Sequence, residues 1–276
     1  MSPFRGSAQF TKDWQHFRFE VDEDHVGTIT FIRPEKLNAL TLEVYADLRD
    51  ILAELPQRDD VRALIIIGTG RGFCSGGDVH EIIGKLLEMG TKDLLDFTRM
   101  AGTVIQRMRE SPTPIIAAVN GVAAGAGAVI ALAADFRVLA ASATFSFLFT
   151  KVGLAGADMG SAYLLPRLVG IGRATELLML GEKVDAQRAF QIGLANAVVD
   201  DGALAGRAKD LARRLAGGPT LAYATTKMLL SREMDMDLAG SLELEAIAQA
   251  LLMKSQDHAE FYEAFQTRRD PKWSGR

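Results

Sequence analysis

The segment PIIAAVNGVAAGAGAVIALAAD, residues 114–135, decides the fold of this 276-residue chain. A strand-like apolar run leads into a turn containing Gly121, Gly125 and Gly127, and the spacing of a helix follows. The glycines interrupt the apolar run, so the segment predicts a turn rather than a membrane span. The positive end of the helix points into the turn, where it would stabilise a negative charge. Because the segment holds no acid or base before Asp135, a proton-transfer group must come from elsewhere.

A second glycine-rich turn, GTGRGFCSGGDVHEI at residues 68–82, follows the strand pattern ALIII. Such turns leave backbone N–H groups free to bind an anion, and two of them could supply the paired donors of an oxyanion hole. A tight strand-to-helix connection is the alternative, because glycine is the usual residue where φ is positive. Neither turn matches a nucleotide-binding loop: residues 121–127 read GxxxGxG, and no Lys-Ser or Lys-Thr pair follows GTGRGF.

The rest of the chain alternates strand and helix patterns. HFRFEVDEDHVGTITFIRP predicts a β-hairpin, and TLEVYADLRDILAELPQ predicts a helix capped by Thr41. Further strands are predicted at RALIIIGTG, PIIAAVNG and DFRVLAAS, and further helices at about residues 93–110, 125–134, 159–169, 172–181, 185–192 and 203–215, with a helical tail from Thr220. We therefore predict an α/β core over residues 1–215 and a helical C-terminal region over residues 216–276.

The composition narrows the class of protein. Hydrophobic residues make up 48% of the chain, which is typical of a globular protein. The net charge of 31 − 35 = −4 argues against nucleic acid as the main partner. Cys74 is the single cysteine, so an internal disulfide and a Cys-based metal site are excluded and a reducing cytoplasm is expected. The N-terminal residues MSPFRGSAQFTKDWQHF lack the continuous apolar run of a secretory signal, and no membrane association is expected.

Several ordered motifs resemble those of the enoyl-CoA hydratase/isomerase (crotonase) superfamily. They are RPEKLNAL (33–40), GRGFCSGGDV (70–79), PIIAAVNGVAAGAGAVIALAADFRVLAASATFSF (114–147), PRLVG (166–170) and AFQIGLANAVV (189–199). The resemblance, which extends from about residue 16 to residue 270, implies a spiral of ββα units and a helical trimerisation region. It also implies a homotrimer or a dimer of trimers and an acyl-CoA thioester as ligand, with no cofactor apart from the coenzyme A of the substrate.

The resemblance also implies roles for particular residues. The oxyanion-hole amides would be those of Gly77, in SGGD, and Ala126, in GAGA. Ala126 departs from the usual glycine, but its amide keeps the same direction provided that φ stays negative. Arg33 and Lys36 match positions near the phosphates of coenzyme A.

Three cations of the C-terminal tail could reach the nucleotide part of coenzyme A. They are Arg268, Arg269 and Lys272. For each of them, as for the two cations of RPEKLNAL, a solvated surface charge is the alternative interpretation.

The sequence departs from the hydratase pattern at two positions. The two catalytic glutamates of a typical hydratase match Val129 and Phe149, and neither side chain can exchange a proton. A two-glutamate hydration mechanism is therefore not supported. Both residues, with Phe147, are candidates to contact the acyl group. The rings of Phe145, Phe147 and Phe149 alternate in TFSFLF and would share one side of a strand, although core packing is an alternative role.

Asp158, in GLAGADMGSAYLLPRLVG, is the candidate acid or base. Its position resembles that of the acid in dienoyl-CoA isomerases and of the nucleophilic aspartate in 4-chlorobenzoyl-CoA dehalogenase, in which a tyrosine follows five residues later, as Tyr163 does here. Apolar neighbours could raise its pKa and make it a general base. The alternative is that Asp158 only caps a helix beginning near Met159. A dehalogenase also needs a histidine, and His80 or Glu81 could reach the pocket or lie on a solvated helix face.

Three classes of function remain open on the sequence alone. The first is a CoA-thioester isomerase or lyase that uses Asp158 and a backbone oxyanion hole. The second is a hydrolase, ring-opening enzyme or dehalogenase on the same scaffold. The third is a non-catalytic acyl-CoA binder or an RNA-binding relative, which the acidic charge balance and the pocket aspartate disfavour.

Overall fold

The computed structural model describes residues 9–276, and their strands form two sheets. The order in the larger sheet is β1-β2-β3-β5-β7-β10, and in the smaller sheet it is β4-β6-β8-β9. The strands are β1 (Arg18–Val21), β2 (Val26–Phe31), β3 (Ala63–Gly68), β4 (Gly72–Cys74), β5 (Ile115–Val119), β6 (Val122–Ala124), β7 (Phe136–Ala140), β8 (Thr144–Ser146), β9 (Val184–Asp185) and β10 (Ala197–Val199).

The helices lie between and after these strands. They are α1 (Leu42–Glu54), α2 (Gly84–Leu86), α3 (Thr91–Glu110), α4 (Ala126–Ala133), α5 (Ser161–Val169), α6 (Ile171–Leu180), α7 (Ala186–Gln191), α8 (Leu204–Ala216), α9 (Thr220–Glu233), α10 (Leu238–Leu252) and α11 (Gln256–Thr267). Short 3₁₀ helices occur at Pro34–Lys36, Leu55–Gln57, Leu148–Val152 and Asp201–Ala203, and a π-helical turn occurs at Val79–Ile83.

The chain moves repeatedly from the larger sheet to the smaller one. The buried strands β3, β5 and β7 are parallel neighbours, and each is followed by a short strand of the smaller sheet, β4, β6 or β8. Helices follow the first two of these strand pairs directly, and a 3₁₀ helix follows the third. This is the expected spiral of ββα units, and the predicted β1–β2 hairpin is antiparallel as expected. Of the described helices, none is long and apolar enough to cross a membrane.

The first predicted helix forms with the expected cap. The Thr41 hydroxyl accepts a hydrogen bond from the Val44 amide at 3.4 Å, at the start of α1. The helix predicted near Met159 begins two residues later, at Ser161, and its N-cap is Gly160. The reason is backbone geometry: Met159 and Gly160 have φ values of +49° and +83°, which are incompatible with a right-handed helix. The prediction that Asp158 caps this helix is therefore wrong.

The three alternating phenylalanines do not share the face of one strand. Strand β8 ends at Ser146, so Phe145 lies in the strand, Phe147 follows it, and Phe149 belongs to the next 3₁₀ helix. Phe145 and Phe147 are fully buried core residues. Only Phe149 remains available to a cavity, because the chain turns after the strand.

Asp135, the acid at the end of segment 114–135, has a structural role. Its carboxylate lies 2.7 Å from Nζ of Lys227 and 3.2 Å from Nη1 of Arg109, and it accepts a hydrogen bond of 2.8 Å from the Ile115 amide. Lys227 is buried and also donates to the carbonyl of Thr113 at 3.0 Å. This charged cluster fixes α9 to the core, because a buried ammonium requires a paired charge.

Gly127 allows helix α4 to touch strand β4. A Cβ atom added at Gly127 would lie 2.1 Å from the carbonyl oxygen of Cys74, far inside van der Waals contact. Only glycine therefore lets the two backbones approach this closely.

We expect Gly127→Ala to lower the free energy of unfolding by about 3 kcal/mol, because the new methyl group must push a buried backbone aside. Gly102→Ala is the matched control, since Gly102 lies within α3 and a Cβ there meets nothing within 4 Å. The control should gain up to about 1 kcal/mol from helix propensity. Chemical denaturation of both variants measures the difference, and equal effects would contradict the close contact.

Candidate active site

A cavity of about 500 Å³ lies where the two glycine-rich turns meet. Of the predicted site residues, Gly77, Ala126, Asp158, Lys36 and Phe149 line it. The structure therefore brings together, in one place, residues from four separate motifs of the sequence.

The two turns pack against each other through their backbones. Gly76 and Gly125 have φ values of +98° and +50°, in the region that favours glycine. A Cβ atom added at Gly76 would lie 3.5 Å from the amide nitrogen of Ala126, and one added at Gly125 would lie 3.8 Å from Cα of Gly76. The amides of Gly77 and Ala126 each follow one of these glycines directly.

A short bridge to Leu40 leaves the Gly77 amide free. Leu40 donates to the carbonyl of Gly76 at 2.8 Å, and Asp78 donates to the carbonyl of Leu40 at 2.8 Å. In such a bridge the residue in the middle directs its own N–H away from its partner strand. Within residues 9–276 the Gly77 amide has no acceptor.

The amide of Ala126 is free because it begins a helix. Ala126 is the first residue of α4, and the first N–H groups of a helix have no intrahelical acceptor. No other acceptor for it is found in the described part of the chain. Ala126 is not among the residues with positive φ, so the exchange of glycine for alanine preserves the direction of the amide.

Asp158 is half-buried and lines the same cavity. Burial raises its pKa, and a 2.8 Å hydrogen bond from the Met159 amide opposes that rise without cancelling it. No described cation forms an ion pair with its carboxylate. A reciprocal pair of hydrogen bonds fixes the backbone here: the Asp158 amide donates to Oγ of Ser161 at 3.1 Å, and the Ser161 amide donates to the carbonyl of Asp158 at 2.9 Å.

Asp78 is the other carboxylate at the cavity, and its environment is the opposite. Burial alone would raise its pKa, but hydrogen bonds from the Glu81 and His80 amides and the charge of Arg33 lower it. Asp78 therefore stays ionised, whereas Asp158 can take up a proton. Across the described residues, no glutamate lines the cavity.

Arg33 does not line the cavity, and its role beside the phosphates of coenzyme A stays a prediction. Its guanidinium donates to the carbonyl of Ala39 at 2.8 Å, to Asp78 at 3.1 Å and to Glu81 at 2.7 Å. These contacts brace the first glycine turn and explain why Glu81 points away from the cavity. Lys36, in contrast, is exposed at the cavity edge, without an ion pair to any residue that the structure describes.

Val129 and Phe147 also lie outside the cavity. Both are fully buried, because every residue of α4 is buried and Phe147 packs in the core beneath the 3₁₀ helix that follows. Neither side chain therefore forms part of the cavity wall, at which a contact with the acyl group was predicted. Phe149 does line the cavity and is 7% exposed.

The tail cations and the dehalogenase-like tyrosine do not line the cavity that Asp158 lines. Arg269 pairs with Glu260, and neither it nor Arg268 or Lys272 lines the cavity. Tyr163 lines a different cavity, where its hydroxyl bonds Asp235. The dehalogenase-like spacing of Asp158 and Tyr163 thus does not produce a shared site.

His80 and Cys74 differ in their access to the cavity. His80 is exposed and lines the cavity, so it is within reach of a ligand. The thiol of Cys74 is fully buried, and burial raises its pKa to about 12, which makes it an inert core group. The described residues contain no cluster of three or more metal-ligating side chains.

Tyr45 is a cavity residue that the sequence did not single out. It lies on the buried face of α1 and is only 3% exposed, yet it lines the cavity together with Asp158. Its position in the apolar stripe of a helix is typical of a core residue, so the pattern carries no signal of this role.

Comparisons with known proteins identify the family of this chain. Residues 22–276 match the family model described as enoyl-CoA hydratase/isomerase. The chain is 38% identical over 258 residues to 1,2-epoxyphenylacetyl-CoA isomerase of Escherichia coli, which covers 92% of this chain and 97% of that protein. It is 30% identical over 244 residues to the short-chain-enoyl-CoA hydratase of Clostridium acetobutylicum, which covers 88% of this chain and 92% of that protein.

The solved structures give the same family. A crystal structure of a "putative enoyl-CoA hydratase" from Streptomyces coelicolor A3(2) is 60% identical, covers all of both chains and superposes with a TM-score of 0.98. The enoyl-CoA hydratase of Bacillus anthracis is 31% identical, covers 95% of this chain and 100% of its own, and has a TM-score of 0.89. The fold is that of the crotonases, and the chain belongs to the enoyl-CoA hydratase/isomerase family.

The opposite pKa shifts of the two cavity carboxylates predict opposite effects on stability. Because burial raises the pKa of Asp158, its ionisation destabilises the fold, and this cost appears as the pH rises through the raised pKa. We expect Asp158→Asn to raise the Tm at pH 8 by about 1–3 °C and to have little effect near pH 4.

Asp78→Asn is the matched control, and its expected effect on the Tm has the opposite sign. The lowered pKa of Asp78 means that its ionised form stabilises the fold above the ordinary carboxyl range, and that this stability is lost as the pH falls. The control should therefore lower the Tm at pH 8. Thermal melts of both variants between pH 4 and pH 8 measure this, and shifts of the same sign would contradict the two environments.

Proposed function

We propose that this protein is an acyl-CoA isomerase that stabilises a thioester enolate and moves the proton with Asp158. The proposal is supported by one observation above all: two amides without acceptors and a carboxyl group with a raised pKa line the same cavity. The coarser activity, processing of an acyl-CoA by a member of the enoyl-CoA hydratase/isomerase family, follows from the family itself.

The amides of Gly77 and Ala126 would bind the thioester oxygen. Removal of an α-proton from a thioester places negative charge on that oxygen, and two preorganised N–H donors stabilise it. The amide of Ala126 also carries the positive end of the α4 dipole. Neither amide has to break a hydrogen bond to another acceptor before it binds the oxygen, so little free energy is spent on rearranging the site.

Asp158 would remove and return the proton. A general base works best when its pKa lies near the operating pH, and burial moves the pKa of Asp158 in that direction. Asp78 is unsuited to this role, because its lowered pKa keeps it ionised beside Arg33. A single base that takes a proton from one carbon and returns it to another carries out an isomerisation.

Hydration is less well supported than isomerisation. A two-glutamate hydration needs a second carboxyl group to deliver water, and the matching positions hold Val129 and Phe149. The relative from Escherichia coli is named an isomerase of an aromatic acyl-CoA, which fits the apolar wall contributed here by Phe149 and Phe97. Hydrolysis, with Asp158 activating water, is the competing reaction on the same residues.

The remaining roles concern binding and assembly. Lys36, exposed at the cavity edge, would act as a point charge for a phosphate of coenzyme A. The C-terminal helices expose large apolar residues, among them Leu230, Leu238, Leu251 and Phe265. A surface of this kind favours self-association, and we propose a homotrimer or a dimer of trimers in the cytoplasm.

Asp158→Asn should slow exchange of the α-protons of phenylacetyl-CoA with D₂O by about 10³-fold or more, because the base is removed while the shape is kept. Glu182→Gln, which changes an exposed carboxylate outside the cavity, is the control and should keep the wild-type rate. NMR detection of deuterium at the α-carbon measures this rate whichever product the enzyme forms. Full exchange by Asp158→Asn, or release of free coenzyme A in place of exchange, would contradict the proposed isomerase.

The oxyanion donor can be tested at Ala126, because a helix tolerates proline at its first position. Ala126→Pro removes the amide hydrogen, and we expect kcat to fall by about 10²-fold or more. Ala126→Gly keeps the hydrogen and should retain most of the wild-type rate. Circular dichroism confirms that both variants fold, and equal rates for the two would show that this amide does not bind the oxyanion.

A further inference from the structure

The hydroxyl group of Tyr45 is a polar group that the proposed chemistry does not use. Tyr45 lies in the first turns of α1, and its ring packs edge-on against Phe97 with the ring centroids 5.6 Å apart. These contacts hold the ring rigidly, so the position of the hydroxyl is set by the fold.

This hydroxyl has no hydrogen-bond partner among residues 9–276. Within those residues, two side-chain atoms have neither contact with solvent nor a hydrogen-bond partner: Nε1 of Trp14 and Oε1 of Glu233. The Tyr45 hydroxyl is not one of them. The Tyr45 hydroxyl is therefore not sealed inside the protein but reaches the cavity that the residue lines. A tyrosine that is only 3% exposed normally pairs its hydroxyl, so this one is available to a ligand.

The hydroxyl keeps its proton and can donate a hydrogen bond. Burial raises the pKa of Tyr45, and the charge of Asp158 acts in the same direction. The phenol therefore stays protonated at any working pH. Asp158 and Tyr45 line the same cavity.

Much of the wall of this cavity is apolar. Phe97, which packs against Tyr45, lines it together with Ala101, Ile82 and Leu86. A hydrocarbon chain in this region would displace water from the hydroxyl and leave it unpaired, which disfavours binding. An acyl group with an oxygen atom at the same place would pair it.

We propose that the substrate is an oxygen-bearing acyl-CoA whose hydroxyl, epoxide or carbonyl oxygen accepts a hydrogen bond from Tyr45. This inference rests on the proposed function, because it assumes that the acyl group enters this cavity. It adds a rule of specificity: Tyr45 selects acyl groups that carry oxygen away from the thioester against hydrocarbon groups of the same size.

Binding of matched thioesters tests the rule. The probes are phenylacetyl-CoA with its 2-, 3- and 4-hydroxy derivatives, and butanoyl-CoA with 3-hydroxybutanoyl-CoA, titrated by calorimetry into the full-length protein. We expect the wild type to bind at least one hydroxylated probe about tenfold or more tightly than its parent. Tyr45→Phe keeps the ring packing and should bind the members of each pair within about threefold, with the parent bound at least as tightly as before.

The controls and outcomes separate this inference from the proposed function. Tyr262→Phe, which changes an exposed tyrosine on α11, should keep the wild-type preference. A wild type with no preference, or a preference that persists in Tyr45→Phe, would overturn the role of Tyr45 alone. If Tyr45→Phe shifted the pH profile of α-proton exchange equally for both members of a pair, Tyr45 would be a positioning residue for Asp158, and its role in specificity would be overturned. Failure of every thioester to bind would overturn the proposed function itself.

Discussion

The direct contact between two backbones is the constraint on which the site depends. The turn after β4 and the turn after β6 touch through their backbones, because Gly76 and Gly125 adopt positive φ values and Gly127 leaves no Cβ atom against the carbonyl of Cys74. This contact brings the amides of Gly77 and Ala126 to the same cavity. These two amides are therefore positioned by main-chain geometry. A fold built in this way can keep both amides in place while the acids and bases around them change.

Much of the fold could be predicted because its signals are local. The buried strands, the hairpin and the cap at Thr41 follow from residue spacing within short windows. The prediction failed where a residue adopts an unusual backbone for tertiary reasons. Met159 has a left-handed conformation that its residue type does not favour, and this moves the start of α5 past Asp158. The turn that ends β8 likewise separated phenylalanines whose alternation indicated one strand face.

The residues of the site also divide into those that the sequence could identify and those that it could not. Gly77, Ala126 and Asp158 lie within recognisable motifs, so the sequence could identify them, and the structure gathers all three at one cavity. The ion pairs of Arg33 could not be predicted, because its partners Asp78 and Glu81 lie 45 and 48 residues away along the chain. Tyr45 was missed because a tyrosine on the apolar face of a helix is indistinguishable from core packing until the cavity is seen.

The cluster around Asp135 has a consequence for helix α4. At its front, Gly127 rests directly on the carbonyl of Cys74; just beyond its rear, Asp135 is tied to Lys227, Arg109 and the Ile115 amide. A helix anchored at both ends can neither slide nor tilt without breaking a buried ion pair or a backbone contact. The position of the Ala126 amide is thus set by contacts at both ends of α4.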